Sequence, residues 1–166
     1  AKNILKKNNE ESAIIFKSEN GYKENLSWKA LNLNVSKISN WLESNGVKKG
    51  DRIAAYLPNI PETVTAYIST SVLGAIWSSC SPDFGTAGVI DRFSQISPKI
   101  LFIGDKYFYN GKKINIIDRL PEILNKVPSI QKVVIVNYPG TDNEKNKNQN
   151  IETFKWNELI DVKNQN

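Results

Sequence analysis

The chain has 166 residues, one cysteine, no histidine and a net charge of +5, and 40% of its residues are hydrophobic. This length suits one domain with a real core, and the single cysteine excludes an internal disulfide. Without histidine, a Ser-His-Asp triad, a Cys-His pair and an ordinary zinc site are excluded within the chain.

The positive charge is spread over lysines that alternate with asparagines, without a basic helix face. This pattern favours a lysine-rich composition over a nucleic-acid-binding surface. No apolar run is long enough to cross a membrane, and no signal-peptide pattern is present. We therefore expect a cytoplasmic protein that binds neither nucleic acid nor a membrane.

The first predicted elements are a β-hairpin and an amphipathic helix. Residues 13–17 and 22–26 flank Asn20-Gly21, a pair that readily adopts positive φ in a hairpin turn. Ser27 is a suitable N-cap for the following helix, and Gly46 is a suitable stop. One stripe of this helix is apolar and carries Trp28, Leu31, Val35, Ile38 and Leu42.

From Arg52 onward, continuously apolar strands alternate with helices. Such alternation indicates an α/β fold, a mostly parallel sheet with helices on both faces, preceded here by the β-hairpin. Pro61 and Glu62 suit the first turn of one helix, where we expect the carboxylate to complement the helix dipole. The predicted strands are 53–57, 75–80, 99–104 and 132–137, and the predicted helices are 61–73, 86–96 and 120–126.

We expect four segments along the chain. Residues 1–26 form an N-terminal extension with the hairpin, and residues 27–140 form the α/β unit. Residues 141–150 are rich in asparagine and contain no apolar residue, which predicts a flexible loop. Residues 151–166 regain apolar side chains, including Trp156, and predict a short strand or helix that docks onto the rest.

Three stretches are candidate binding sites because ligands of parallel sheets bind at the carboxyl ends of strands. The loop at 57–62 is LPNIPE, which is either a stiff connection or a ligand contact. The stretch at 78–85 is SSCSPDFG, whose small side chains either admit a thin ligand beside Phe84 or lie under a closely packed helix. The stretch at 107–113 is YFYNGKK, which either holds a phosphate and stacks a base or is a solvated hairpin tip.

Two kinds of chemistry are disfavoured by the residues. Cys80 has no histidine to activate it, and an unpaired buried cysteine is usually a small hydrophobe. The phosphate-binding patterns GxxxxGK[ST] and GxGxxG are both missing. An enzyme that uses ATP within this chain alone would therefore be hard to build.

One long stretch resembles the adenylate-forming ligases that convert carboxylic acids to acyl-CoA. It reads GVKKGDRIAAYLPNIPETVTAYISTSVLGAIWSSCSPDFG and spans residues 46–85. The motifs AIWSSCSPDFG and DRFSQISPKILF are more specific and are similar to the acetoacetate-activating branch of this family. The resemblance implies that the fold is part of the N-terminal domain of such a ligase.

The resemblance implies that the full enzyme converts acetoacetate, ATP and CoA to acetoacetyl-CoA, AMP and pyrophosphate through an acyl adenylate, with Mg²⁺ accompanying ATP. Family members are several times longer, and their ATP loop would follow residue 160. We therefore expect an N-terminal fragment that is inactive alone, binds no cofactor tightly and self-associates through exposed apolar surface. The alternatives are a ligase for another short-chain acid and a non-catalytic α/β binding module.

The resemblance also implies CoA-binding residues, but no catalytic or metal-binding ones. The loop with Asp83 and Phe84 would line the channel for the pantetheine thiol of CoA. Tyr109 stands where acetyl-CoA synthetases tend to have an arginine, so a stacking contact would replace a bidentate phosphate contact. The stretch that would hold the nucleotide end of CoA consists of Tyr109, Asn110, Gly111 and Lys112.

Overall fold

The structure, a computed structural model, describes residues 3–141 and 151–161. It begins with an antiparallel hairpin of β1 (Ser12–Lys17) and β2 (Lys23–Ser27), followed by α1 (Trp28–Ser44). Ser27 caps α1 because its side-chain oxygen accepts a hydrogen bond from Ala30 N–H at 3.2 Å. The predicted hairpin and the predicted capped helix are both present.

The remaining elements alternate along the chain. In chain order they are β3 (Arg52–Tyr56), α2 (Pro61–Val72), β4 (Ile76–Cys80), α3 (Thr86–Ile96), β5 (Ile100–Gly104), β6 (Lys106–Tyr109), β7 (Lys112–Asn115), α4 (Leu120–Lys126), β8 (Lys132–Val136), β9 (Glu152–Lys155) and α5 (Trp156–Ile160). Two short 3₁₀ turns lie at Ile4–Lys6 and Ile117–Arg119. The asparagine-rich loop predicted at 141–150 lies outside the described residues except for Thr141, as do residues 162–166.

Five strands form one parallel sheet in the order β4-β3-β5-β8-β9. β6 and β7 form a separate antiparallel hairpin in the connection between β5 and α4. Parallel neighbours need crossover connections, and α2, α3 and α4 lie in those connections. The predicted α/β fold, with a parallel sheet flanked by helices and a hairpin before it, is confirmed.

Helices cover both faces of the sheet because side chains alternate along each strand. On one face, Ile53, Phe102 and Val134 pack in a cluster with residues of α1, α2 and α5. On the other face, Tyr56 and Leu101 pack in a cluster with residues of α3 and α4. The central strands β3, β5 and β8 are accordingly almost continuous runs of buried residues.

The β1–β2 hairpin packs against the α/β unit at two places. Leu31 and Val35 of α1 join Ile68 of α2 in a small cluster that hairpin residues cover. The chain after β8 passes so close to the hairpin that a Cβ added at Gly140 would lie 2.5 Å from the Tyr22 ring. Glycine is therefore required at this position by the close approach, as well as by its φ of 72°.

Two local predictions differ from the structure. In the β1–β2 turn only Gly21 has positive φ, and Ser18 N–H donates to Tyr22 O at 3.0 Å, so the connection is longer than a two-residue Asn-Gly turn. Glu62 lies in the first turn of α2 as predicted, but its side chain is half-buried with Oε2 shielded from solvent, and this burial raises its pKa to about 7. The carboxyl is therefore only about half ionised at neutral pH, which weakens the predicted interaction with the helix dipole.

Candidate functional site

The candidate stretches lie at the edge of the sheet where the parallel strands end. Tyr56 is the last residue of β3, Cys80 is the last residue of β4, and Gly104 is the last residue of β5. The loop at 81–85 follows β4, and the β6–β7 hairpin follows β5. Ligands of parallel sheets bind at this edge, so it is the candidate site.

Two side chains that are distant in sequence hold the loop at 81–85. The Tyr56 hydroxyl lies 2.6 Å from Phe84 O and 3.3 Å from Pro82 O. Arg119 Nη1 lies 3.2 Å from Pro82 O and 3.1 Å from Phe84 O, and it also donates to the Tyr56 hydroxyl. Burial raises the pKa of Tyr56, although the Arg119 guanidinium opposes this rise. The hydroxyl is therefore protonated and donates to the loop.

The loop itself is a turn that carries a partly exposed aromatic ring. Phe84 N–H donates to Ser81 O at 3.0 Å, and Ser81 Oγ lies 3.0 Å from Asp83 Oδ2. The Phe84 ring is 38% exposed, and the guanidinium carbon of Arg92 lies 4.7 Å from the ring centroid. The Phe84 ring of the loop and the Arg92 guanidinium of α3 thus lie side by side at the surface.

The small residues before this loop are covered only in part. Cys80 is buried in the cluster that includes Val89 of α3, whereas Ser79 and Ser81 are exposed. A closely packed helix therefore explains the small side chain at Cys80 but not those of the two serines. Burial also raises the pKa of the Cys80 thiol, which disfavours the nucleophilic thiolate.

The β6–β7 hairpin carries the second set of candidate residues. Asn110 and Gly111 form its turn with φ values of 50° and 71°, the two positive values that a type I′ turn requires. Tyr109 pairs with Lys112 across the strands, so their side chains project from the same face of the hairpin. Both side chains are exposed, whereas Phe108 on the opposite face packs against the core.

The loop and the hairpin meet at Tyr107. This residue lies on the same face of β6 as Tyr109. Burial and, after it, the nearby Asp83 carboxylate raise the pKa of Tyr107, so its hydroxyl is protonated. The structure thus brings Asp83 to the hairpin face that carries Tyr109 and Lys112.

The residues that fix this geometry were not found from the sequence. Besides Tyr56 and Arg119, they include Asp105, which is 1% exposed and lies at the root of the hairpin. Its carboxylate accepts Tyr138 N–H at 2.8 Å, and a second oxygen lies 3.2 Å from Lys106 Nζ. The only local sign of this role is that Asp105 is an acidic residue directly after the apolar strand β5. Its partner Tyr138 lies after β8, far along the chain, so the sequence does not reveal the contact.

The third candidate loop, at 57–62, is stiffened by its own hydrogen bonds. Thr63 Oγ1 donates to Pro58 O at 2.7 Å, and Ile60 N–H donates to the same oxygen at 3.0 Å. These bonds support the interpretation of a stiff connection. At the end of the loop, Glu62 lines a cavity of about 60 Å³ with Trp156, and its Oε2 has no hydrogen-bond partner among residues 3–141 and 151–161.

Within residues 3–141 and 151–161, no group of three or more His, Cys, Asp or Glu side chains is arranged to hold a metal ion. These residues do not fit Mg²⁺, and we assign it to none of them. In the same part of the chain, no helix is both long enough and apolar enough to span a membrane.

The fold and the candidate site have counterparts among known proteins. The family model described as "AMP-binding enzyme" matches residues 2–165. The chain therefore belongs to the AMP-binding enzyme family. The predicted resemblance to the adenylate-forming ligases is confirmed at this level.

The similar proteins are synthetases for acetoacetyl-CoA. The chain is 41% identical over 140 residues to acetoacetyl-coenzyme A synthetase of Rhizobium meliloti (strain 1021), a match that covers 84% of this chain and 21% of that protein. It is 37% identical over 140 residues to acetoacetyl-CoA synthetase of Macaca fascicularis, with 83% and 21% covered. The chain therefore spans about one-fifth of the length of these curated relatives.

A solved structure gives the same result. Acetoacetyl-CoA synthetase from Streptomyces lividans aligns with a TM-score of 0.87 and 31% sequence identity, and the match covers 99% of this chain and 25% of that one. The five-stranded sheet and its flanking helices match the N-terminal domain of that synthetase. The predicted similarity to the acetoacetate-activating branch is confirmed.

Proposed function

We propose that this chain contributes part of the CoA site of a ligase that converts acetoacetate, ATP and CoA to acetoacetyl-CoA, AMP and pyrophosphate. The acid is first joined to AMP with release of pyrophosphate, and the CoA thiol then displaces AMP from the acyl adenylate. In the acyl adenylate the carboxylate oxygen leaves as part of AMP, which is a better leaving group than the free oxygen of the acid. The CoA thiol therefore attacks an activated carbonyl carbon. Acetoacetate is chosen because the similar synthetases carry it in their names.

The observation that supports this proposal is the shared face of the loop and the hairpin. The Asp83 carboxylate is near enough to Tyr107 to raise its pKa, and Tyr109 and Lys112 project from the same hairpin face as Tyr107. In the proposed site, the Lys112 ammonium pairs with the 3′-phosphate of CoA and the Tyr109 ring stacks on its adenine. Asp83 and Phe84 border the channel for the pantetheine arm, and Asn110 and Gly111 supply the turn that carries Tyr109 and Lys112.

We assign no catalytic residue within this chain. The described residues contain no histidine that could move a proton, and Cys80 is buried with a raised pKa. In the proposal, the ATP loop, the acid pocket and the Mg²⁺ that accompanies ATP belong to other parts of the enzyme. The chain by itself is therefore proposed to be inactive and to bind CoA only weakly. We also propose a cytoplasmic location.

Calorimetry with CoA and dephospho-CoA tests this proposal. We expect weak binding that prefers CoA, and a loss of roughly fivefold in affinity for Lys112→Ala, because an exposed ion pair contributes about 1 kcal/mol. Lys113→Ala is the matched control, since it removes the same charge from the neighbouring position on the opposite hairpin face. Equal losses in both variants, or no preference for CoA over dephospho-CoA, would contradict the assigned phosphate contact.

The second candidate function is a non-catalytic module that binds a partner through the β4 edge of the sheet. Among the described residues, β4 pairs only with β3. Large exposed apolar side chains also lie on α2 and β4, namely Val64, Tyr67, Val72 and Ile76. Such an edge is a surface on which a partner of the module would dock, and a ligase fragment that leaves it uncovered is expected to self-associate. Sedimentation velocity distinguishes the two cases, because the ligase proposal predicts association that grows with concentration, whereas an independent module remains monodisperse.

We also propose that residues 27–140 form the α/β unit, that the segment with β9 and α5 docks onto it, and that residues 1–26 form an extension. The β1–β2 hairpin forms a sheet of its own and contacts the α/β unit through α1, α2 and the chain near Gly140. Limited proteolysis tests this division, since cleavage between Ser27 and α1 would release a stable α/β core.

A further inference from the structure

We propose that Arg119 is a positioning residue that joins the two halves of the candidate CoA site. Its guanidinium holds the carbonyl groups of the loop at 81–85, and its backbone belongs to the turn at the base of the β6–β7 hairpin. The inference rests on the proposed function, in which the loop and the hairpin contact the same CoA molecule.

The loop depends on donors that its own backbone does not supply. Phe84 O lies 2.6 Å from the Tyr56 hydroxyl and 3.1 Å from Arg119 Nη1, and Pro82 O lies 3.2 Å from the same nitrogen. Tyr56 is 0% exposed, so its hydroxyl is a fixed reference point in the core. The Arg119 guanidinium carbon lies 5.8 Å from the centroid of the Tyr56 ring. The loop at 81–85 and the Arg119 guanidinium are thus both held against the buried side chain of Tyr56.

The backbone of Arg119 is in turn fixed to the hairpin. Arg119 ends the 3₁₀ turn at Ile117–Arg119, which follows β7 directly. Ile116 N–H and Ile117 N–H donate to Asp105 O at 2.8 and 3.1 Å, and Asp105 immediately precedes β6. β6 therefore begins, and β7 ends, beside the segment that places Arg119. A change in the angle of the hairpin is transmitted to Pro82 and Phe84 through the Arg119 side chain.

Arginine suits this role because its planar group presents several donors in a fixed arrangement. Alanine at position 119 removes the charge-assisted bonds to two carbonyl groups and leaves the loop with the Tyr56 hydroxyl alone. Asp83 and Phe84 then lose their fixed direction relative to Tyr107 and the hairpin face. We expect a weaker CoA contact without the loss of any residue that touches CoA.

NMR spectroscopy of the ¹⁵N-labelled chain, with CoA as the added ligand, tests the inference. The variants are Arg119→Ala and Tyr56→Phe, of which the second keeps the core filled. Arg52→Ala is the matched control, because Arg52 also holds two carbonyl groups, those of Ile96 and Ser97, at the opposite end of the sheet. Backbone amide shifts and hydrogen exchange report the loop, and the titration reports CoA affinity.

We expect Arg119→Ala to shift the amide resonances of Asp83, Phe84 and Gly85, to raise the exchange rate of Phe84 N–H, and to weaken CoA binding by about tenfold. Tyr56→Phe gives smaller changes of the same kind, and Arg52→Ala leaves the loop and CoA affinity unchanged. Wild-type loop shifts and exchange rates in both loop variants would overturn the inference, as would a displaced loop with unaltered CoA affinity.

A failure of the proposed function gives a different result. In that case, CoA perturbs neither the loop nor the hairpin of the wild-type chain, although Arg119→Ala still displaces the loop. This outcome supports the structural connection through Arg119 and removes CoA as the ligand that uses it.

Discussion

The loop after β4 rests on side chains from distant elements, whereas the tip of the β6–β7 hairpin is built by its own backbone. Tyr56 and Arg119 are 26 and 37 residues from Pro82, and both contact its carbonyl oxygen. The hairpin tip needs only two adjacent residues with positive φ, Asn110 and Gly111. Two halves of one candidate site are therefore stabilised in opposite ways.

Because of this difference, we expect mutations in the supports of the loop to lower the free energy of unfolding much more than mutations at the hairpin tip. A loop held by buried groups loses both packing and hydrogen bonds when a support is removed. An exposed hairpin tip loses little stability when a side chain is truncated, so its side chains are free to be chosen for ligand contact. Mutations that test the comparison should differ strongly in their effect on the free energy of unfolding.

The largest effect is expected for Tyr56→Ala. The change leaves a cavity under the loop and removes a hydroxyl from the Phe84 carbonyl, which should cost about 3–5 kcal/mol of unfolding free energy. Tyr109→Ala removes a ring that is 62% exposed and should stay within about 0.5 kcal/mol of wild type. Urea denaturation measures both. Similar costs for the two tyrosines would remove the distinction between a buried support and an exposed tip.

The next largest effect is a dependence of stability on pH, which we expect from the shielded carboxyl of Glu62. The pKa of Glu62 is raised from 4.5 to about 7, chiefly by burial. Between these values the folded chain keeps a proton that the unfolded chain has lost. The protonated Glu62 carboxyl therefore makes its full contribution to the free energy of unfolding below about pH 4.5, and this contribution is lost as the pH rises towards 7. The decline amounts to on the order of 3 kcal/mol and levels off above pH 7.

Glu62→Gln provides the matched variant for this pH dependence, since the amide keeps the shape of a protonated carboxyl. Urea denaturation from about pH 4.5 to about pH 8 should show a decline in the wild type that is absent or strongly reduced in the variant. The neighbouring Glu24, which also lines the cavity, is unchanged in both proteins. Parallel profiles for the two proteins would mean that Glu62 does not carry the effect.

A smaller effect is expected from glycine replacements in the two halves of the site. Gly111 has a φ of 71° and open space around an added Cβ, so Gly111→Ala meets backbone strain alone and should cost about 1–2 kcal/mol. Gly85 has a φ of −64° and equally open space. Alanine is a poorer N-cap than glycine for α3, which lowers stability, but it also makes the unfolded chain less flexible, which raises stability. The free energy of unfolding of Gly85→Ala should therefore stay within about 0.5 kcal/mol of wild type. Thermal or urea unfolding ranks the pair, and a larger cost at Gly85 would reverse the comparison.

The hairpin and the sheet were predictable from the sequence because their signals are local. Continuously apolar strands between helices indicated the parallel sheet, and Ser27 indicated the start of α1. Two of the three Asn-Gly pairs, those in the hairpins, show the limit of such signals. Asn110-Gly111 forms the two-residue type I′ turn, whereas Asn20 has no positive φ and its hairpin closes through a longer connection.

The supports of the loop could not be predicted in the same way. The Tyr56 hydroxyl and Arg119 act on carbonyl groups, which every residue possesses, so the residue types of the loop do not reveal them. Glu62 shows a related failure. Its place in the first helical turn predicted a charge at the helix dipole, but the burial that raises its pKa comes from side chains of other elements, Trp156 among them.

The smallest effect on stability is expected for Glu19→Gln, and it tests whether the hairpin tip is independent of its surroundings. Glu19 accepts Gly111 N–H at 3.2 Å in an exposed position, so the unfolding free energy should change by less than about 0.5 kcal/mol.

The Glu19 carboxylate nevertheless lies on the backbone next to Lys112 and opposes the binding of an anion there. Its removal should tighten CoA binding by about twofold and dephospho-CoA binding by less. Glu43→Gln removes the same charge from α1 and serves as the control for net charge in calorimetry. Equal CoA affinities of the two variants would mean that Glu19 does not compete with the phosphate.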